Sequence, residues 1–488
     1  MGVVIKQAVR STVYSYIGAL LGFLTVWFMN RLWLTSEQNG LLNILISFSL
    51  VTGSLANLGM AGVITRMFPN FRDHSNKHSG FLFYPVVITV VGFVIFLIVF
   101  LTLQDELVAR NIAKSRLFAE NVIYIIPLTF FLGMFYILDA FSRSIFLSTT
   151  GVIIKEVLLR IVILIGAYLY HIGIIEFDAF VLIYCSSFCS IALVLALYLF
   201  VKNEFHITKP QKLSKDVKYE IRQVAFFSII TGLSSLLINS IDKFIVNDKL
   251  GLAAAGVFSI ATYFGSIIQI PARSISRITS SVIADSWKQN NLENIKSVYH
   301  KSCLNQLIIG LGIFLAILVN IENIISLMPP DYSEAGYVII FIALGYLIDM
   351  ATGVNGVIIS TSKYFRYDSL FMFLLVIVTI ATNLFFIPIY GITGAAIASC
   401  VTFFLYNLLR YLFILYKFKL QPYDMDFVKV LLFGGISYFL ASVFPSIENN
   451  YLDAISRGII FMISYSAMIY FTKVAPDINK TIQNTIKK

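Results

Sequence analysis

Residues 80–103 read GFLFYPVVITVVGFVIFLIVFLTL, an apolar run with no charged side chain. About 20 such residues in a helix cross the hydrocarbon layer of a bilayer. In water this segment would need cover on every side, whereas lipid leaves it nothing to hide. The rest of the chain repeats the pattern. Hydropathy predicts about fourteen spans, at 11–31, 40–62, 80–103, 119–138, 150–170, 177–201, 223–247, 252–276, 302–321, 335–360, 367–388, 392–416, 427–445 and 455–473. The 488 residues are 58% hydrophobic and 13% charged, against roughly a quarter charged in soluble domains. The fold class is therefore all-α, a polytopic membrane protein.

Charge sets the direction of the spans. The chain carries 36 Lys and Arg against 26 Asp and Glu. The cations sit between apolar stretches, as membrane orientation requires, and do not form a nucleic-acid stripe. With the N-terminus cytoplasmic and the spans alternating, about 29 of the basic residues fall inside and about 7 outside, while the acids divide evenly. The outer set is Arg31, Arg110, Lys114, Arg116, Lys243, Lys249 and Arg457. Both termini are expected in the cytoplasm. The run from Ser11 to Asn30 follows Lys6 and Arg10 and lacks a small-residue cleavage site, so it reads as a retained first helix. Cys185, Cys189, Cys303 and Cys400 lie in apolar segments, form no C-x-x-C and read as packing residues. No metal or other cofactor is expected.

The organisation is a repeat. Residues 1–201 hold six spans. A basic cytoplasmic linker, 202–222, carries Lys209, Lys212, Lys215 and Lys218, and residues 223–416 hold six more. Two further helices occupy 427–473, and a cytoplasmic tail follows at 474–488. Six spans per lobe give both lobes one orientation, the parallel-repeat arrangement of some transporters. The lobes echo each other weakly: Gly40 opens the second span and Gly256 the equivalent span of the second lobe, each just after a short outer turn. No loop is long enough to form a separate catalytic domain.

The most specific segment is Asn383–Ala398, NLFFIPIYGITGAAIA. Pro388 ends a helix, Gly391 permits a tight outer turn, and Gly394, Ala395, Ala396 and Ala398 give the next helix a small face. This pattern resembles the turn between the eleventh and twelfth helices of Wzx-type polysaccharide flippases, in the multidrug/oligosaccharidyl-lipid/polysaccharide exporter superfamily. ISLMPPDY at 325–332 looks like that family's outer turn after helix nine. IDKFIV at 241–246 looks like its turn from helix seven to helix eight, and Pro271 stands where the family bends helix eight. The resemblance covers roughly residues 5 to 475. It implies a two-lobed transporter that carries an undecaprenyl-pyrophosphate-linked oligosaccharide across the inner membrane by alternating access. The surface polymer served would be lipopolysaccharide O-antigen, capsule or exopolysaccharide. Implied partners are that lipid-linked substrate, membrane lipids and the polysaccharide polymerase machinery, with the chain acting as a monomer.

A pyrophosphate needs a hydrated, cationic passage, and Arg suits it because a planar, permanently charged fork binds phosphate oxygens in pairs. The candidates are Arg66, Arg143, Arg160, Arg273 and Arg277. Arg273 and Arg277 are four apart and share a helix face. Snorkelling to headgroups is the alternative for all but Arg160, which lies deeper and has Glu156 one turn away. Asp139 and Asp349 are the acids expected at depth, as carriers of a proton or Na⁺; Arg143 stands where it would neutralise Asp139. Asn355, Asn383 and Asn407 read as interhelical hydrogen-bonding residues, with contact to sugar hydroxyls as the alternative. The five His form no cluster. A drug/cation antiporter of the same superfamily is the main rival, but such proteins usually have twelve helices. A lipid II flippase carries an Arg-Asp pair after a G-F-x element in its first helix; here Gly22-Phe23-Leu24 is followed by Thr25-Val26. An integral-membrane glycan ligase or polymerase needs an outer catalytic loop, and 103–118 has no acid/base partner for Asp105 and Glu106. The chain is read as not an enzyme.

Overall fold

Thr35 starts the first fully described helix, α1 (Ser36–Ala56). Its hydroxyl accepts from the Gln38 amide at 3.3 Å and the Gln38 side chain accepts from the Thr35 amide at 3.0 Å, a reciprocal cap that satisfies two exposed donors. The structure is a computed structural model. It describes residues 33–71, 73, 77–112, 115–145, 147–206, 208 and 214–474, with 14, 17, 18, 21, 22, 24, 25, 28 and 29. The predicted first span and the tail beyond 474 lie largely outside these residues.

The described residues are helical, with no strand among them. After α1 come α2 (Met60–Met67), α3 (Phe83–Ile112), α4 (Ile125–Ser144), α5 (Leu159–His171), α6 (Phe177–Val201) and α7 (Lys215–Leu250). Then follow α8 (Leu252–Ser266), α9 (Ile270–Lys288), α10 (Leu292–Val319), α11 (Ala335–Ala351), α12 (Asn355–Thr361) and α13 (Phe365–Phe418). The last two are α14 (Met425–Ser442) and α15 (Asn450–Thr472). Among the described residues, nine helices are long and apolar enough to cross a membrane, or ten if α11 and α12, bent by 51°, are taken as one. The uncharged apolar run 80–103 falls largely in α3, and Val91, Ile95 and Ile98 stand 50%, 54% and 60% exposed on it. Such an exposed apolar face belongs in lipid.

Two compact units are present, Met1–Gly256 and Val257–Lys488. In the first, α7 starts at Lys215, inside the predicted linker, because Ser214 caps it through the Val217 amide. It packs on α1 and α2, with Phe48 edge-on to Phe244 at 6.0 Å. The two echoing glycines meet here: Gly40 lies against the Leu252 carbonyl and Gly256 against the Ser36 carbonyl. A Cβ on either would collide with backbone, so only glycine allows the approach.

Turn contacts follow the alternation of spans. In the first unit Ser115 donates to Glu37 at 3.2 Å and Gln38 to Tyr170 at 3.1 Å, all three turns lying after odd-numbered predicted spans. His78 and Glu204, after even-numbered spans, meet at 3.0 Å. In the second unit Asn323 and the Ile447 amide converge on Asp453, at 2.6 and 3.0 Å. Trp287, Tyr364 and Phe418 cluster among the even turns, with ring centroids 4.8 and 5.7 Å apart.

The tight turn expected at Gly391 is present. There the backbone takes φ 59°, ψ −136°, a region open essentially to glycine. The helix folds back on itself, so that Thr382 meets Thr402 at 3.0 Å and Tyr367 meets Phe413 at 5.1 Å. α13 thus contains both predicted spans 367–388 and 392–416.

Candidate functional site

Among the described residues, the sequence candidates Asp139, Arg143, Arg160 and Asp349 fall into two clusters of charged and polar side chains, one in each unit. In the first unit, α4 ends with Asp139 and Arg143 one turn apart. They pair at 3.3 Å, with the Arg143 side chain 56% exposed and that of Asp139 21%. Gly151, on the short helix Ser148–Val152, lies directly against the Asp139 carboxylate. The chain then widens into a π-helical turn, Ile153–Leu158, before α5. Single π turns inside helices are frequent at functional sites because they re-aim side chains. Glu156 stands in this turn and Arg160 follows it, paired at 2.9 Å. Gly18 packs so closely that a Cβ there would sit 2.5 Å from that of Glu156. Arg66, in the last turn of α2, is exposed, and no carboxylate among the described residues pairs with it.

The second cluster forms at the break between α11 and α12, where Gly353 takes φ 63°. Asp349 sits just before the break. One carboxylate oxygen accepts from the Asn407 amide and the other from the Gln269 amide, both at 3.0 Å. The Asn407 side-chain oxygen accepts in turn from Asn355 at 2.9 Å. The Thr352 hydroxyl is 2.8 Å from that same oxygen and 2.8 Å from the Asp349 carbonyl, and gives its single proton to one of them. Asn355 and Asn407 therefore act as interhelical hydrogen-bonding residues. One turn along α13 from Asn407, Arg410 pairs with Asp368 at 2.5 Å and lies 4.1 Å above the Tyr406 ring. The side chains of Arg410 and Asp368 are 12% and 20% exposed. Gly356 makes room for this guanidinium, since a Cβ there would stand 2.6 Å from it.

The sequence candidates thus separate. Asp139, Arg143 and Arg160 belong to the first cluster and Asp349 to the second, while Arg66 stands apart. Arg273 and Arg277 are on α9 in helical backbone, with side chains outside the described residues. Arg410, Asp368, Gln269 and Thr352 were not singled out from the sequence. Asp368 and Arg410 come together only when α13 folds back at Gly391. No group of three or more metal-ligating side chains occurs among the described residues.

This architecture can be compared with solved structures. The lipid II flippase MurJ in an inward closed conformation matches with a TM-score of 0.73 and 16% identity, covering 96% of this chain and 100% of that one. An inward-facing multidrug-resistance MATE transporter of the MOP superfamily matches with a TM-score of 0.62 and 14% identity, covering 81% and 97%. The chain has the fold of the MOP-superfamily transporters. A further MOP-superfamily transporter, from Pyrococcus furiosus, matches with a TM-score of 0.57 at 14% identity, covering 84% and 94%. No family model and no curated protein matches the sequence. MOP is the superfamily that the Asn383–Ala398 motif resembles. At these identities the likeness establishes the fold and leaves the transported molecule to be argued from the residues.

Proposed function

We propose that this protein is a flippase that moves an undecaprenyl-pyrophosphate-linked oligosaccharide from the cytoplasmic to the outer leaflet of a bacterial inner membrane, for surface polysaccharide synthesis. The observation that supports the reading is the end-to-end match to a lipid-flippase fold, 96% of this chain against 100% of the other. The Asn383–Ala398 motif resembles the superfamily, the predicted layout of six, six and two spans is that of its polysaccharide branch, and the absent Arg-Asp pair after Gly22-Phe23-Leu24 argues against lipid II.

In this reading the lobes are 1–201 and 223–416, joined by the linker 202–222, and both termini are cytoplasmic. Arg66, Arg143, Arg160, Arg273 and Arg277 supply the cationic passage. Arg160 is held by Glu156 until a phosphate competes for its fork. Asp349, between two amide donors beside a helix break, couples transport to a cation gradient, with Asp139 as the second coupling acid. Broken helices with polar side chains at the break are where secondary transporters place such sites.

The test is export in cells. Arg160→Ala, and Arg273→Ala together with Arg277→Ala, are expected to stop surface glycan export while the protein remains in the membrane. Normal export in both would remove the cationic-passage assignment. The Asp349 cluster also suits a drug/cation antiporter, the second reading, in which Asp349→Asn raises drug sensitivity and leaves glycan export intact.

A further inference from the structure

Where α12, α13 and α14 meet at the even-turn end of the second unit, four exposed cations gather around the half-buried Tyr364 ring and the exposed rings of Phe365 and Tyr416. Lys363 lies 5.3 Å from the centre of the Tyr364 ring, and Lys417 lies 5.8 Å from the same ring. Lys417 and Lys419 also sit 5.1 and 5.6 Å from Tyr416, and Arg366 is 5.9 Å from Phe365. All four cations are exposed, and no carboxylate among the described residues pairs with any of them. The nearby acids are engaged elsewhere: Asp368 with Arg410, Asp424 with His300 and Asp426 with Lys429.

Two features make this more than a scatter of basic residues. Lys419 ends α13 in the left-handed conformation, φ 58°, where glycine is the usual occupant. A cation is thus held where the backbone prefers no side chain. Below the cations the same helix turns apolar and exposed, with Leu370 at 49%, Phe373 at 51% and Leu412 at 49%. Apolar belt, aromatic ring and then cation is the order of groups across a bilayer from tails to phosphate. Tyr faces also steady an ammonium at headgroup depth.

We propose that Lys363, Lys417 and the Tyr364 ring between them form a binding site for the phosphate of an anionic phospholipid headgroup, with Arg366 and Lys419 at its rim. The site requires the membrane fold and is independent of which substrate the protein carries. Each cation near an anionic surface strengthens attraction about fivefold, so two at one phosphate give a preference of roughly tenfold or more over a zwitterionic lipid.

Trp287 is the natural reporter, because its ring packs at a tilt against Phe418 with centroids 4.8 Å apart, and Phe418 packs on Tyr364. The chain has 3 Trp, so Trp27→Phe and Trp33→Phe leave it alone. The full chain is reconstituted in phosphatidylcholine vesicles containing either brominated-tail phosphatidylglycerol or brominated-tail phosphatidylcholine, and Trp287 quenching is titrated. The expected result is stronger quenching by the anionic lipid, a preference that falls to near one in Lys363→Gln with Lys417→Gln. The preference should be retained in Lys249→Gln. Inorganic phosphate at matched ionic strength should leave it unchanged. Equal quenching by the two lipids, a preference that survives the double substitution, or its reversal by inorganic phosphate would each overturn the site.

Discussion

Arg160 reaches Glu156 across a single helical turn at 2.9 Å and is 28% exposed, whereas Arg410 reaches Asp368 across 42 residues of chain at 2.5 Å and is 12% exposed. The first pair holds nothing together beyond its own π turn. It can open at little cost, which the proposed function uses to offer its arginine to a phosphate. The second joins the two limbs of α13, and the adjacent Asp349 network ties Gln269, the α11–α12 break and Asn407 into one unit. In a membrane, polar groups held by several partners fix helix packing, and polar groups held by one local partner remain available. The two clusters therefore differ in how they are held: locally paired arginines in Met1–Gly256, and a carboxylate fixed by donors from several elements in Val257–Lys488.

The largest expected effect is structural. Arg410→Ala leaves the Asp368 carboxylate without its cation and should destabilise the protein by about 3–5 kcal/mol, read as unfolding in detergent. Arg410→Met combined with Asp368→Leu should recover most of that loss. A cost below about 1 kcal/mol for the single change would place Arg410 with the surface pairs and erase the contrast.

Asp349→Asn comes next. The shape is kept, but an amide now faces the Gln269 and Asn407 donors. Transport per folded molecule should fall at least about tenfold, equivalent to about 1.4 kcal/mol, measured as flux in reconstituted vesicles under an imposed cation gradient. Unchanged flux would reduce the network to a packing device.

Arg160→Ala should reverse the balance seen for Arg410. Stability changes by less than about 1 kcal/mol, because a part-exposed i, i+4 pair contributes little, while glycan export fails. Arg160→Lys should restore only part of the export, since an ammonium lacks the paired fork. The smallest effect belongs to Arg143→Gln. Its difference from the parent in thermal unfolding should be a few tenths of a kcal/mol and should vanish near 1 M salt, where the Debye length is about 3 Å. A salt-independent difference would mean that Arg143 is buried in the working protein.

Much of this was legible in residue patterns, for physical reasons that differ from place to place. The helices follow from apolar length alone, as α3 illustrates. The hairpin of α13 follows from Pro388 and Gly391, and the close packing of α1 on the segment opened by Leu252 follows from Gly40 and Gly256. Charge spacing gave the Asp139–Arg143 and Glu156–Arg160 pairs, because i, i+4 neighbours share a helix face whatever the tertiary fold. Arg410 with Asp368, on opposite limbs of α13, and Gln269 with Asp349, on separate elements, were hidden because the partners are far apart in sequence, and only the folded chain brings them together. The π turn at Ile153–Leu158 carries no distinct residue signature. It arises where Gly18 and Gly151 crowd the start of the fifth span.

The most direct measurement is made in cells that lack this protein: the leaflet and quantity of undecaprenyl-pyrophosphate oligosaccharide, followed alongside a surface glycan. The proposed function predicts that the lipid-linked oligosaccharide accumulates on the cytoplasmic leaflet while the glycan disappears, and that the intact gene reverses both. Normal glycan with no trapped lipid, together with raised sensitivity to cationic drugs, would contradict the flippase assignment and leave the antiporter reading in its place.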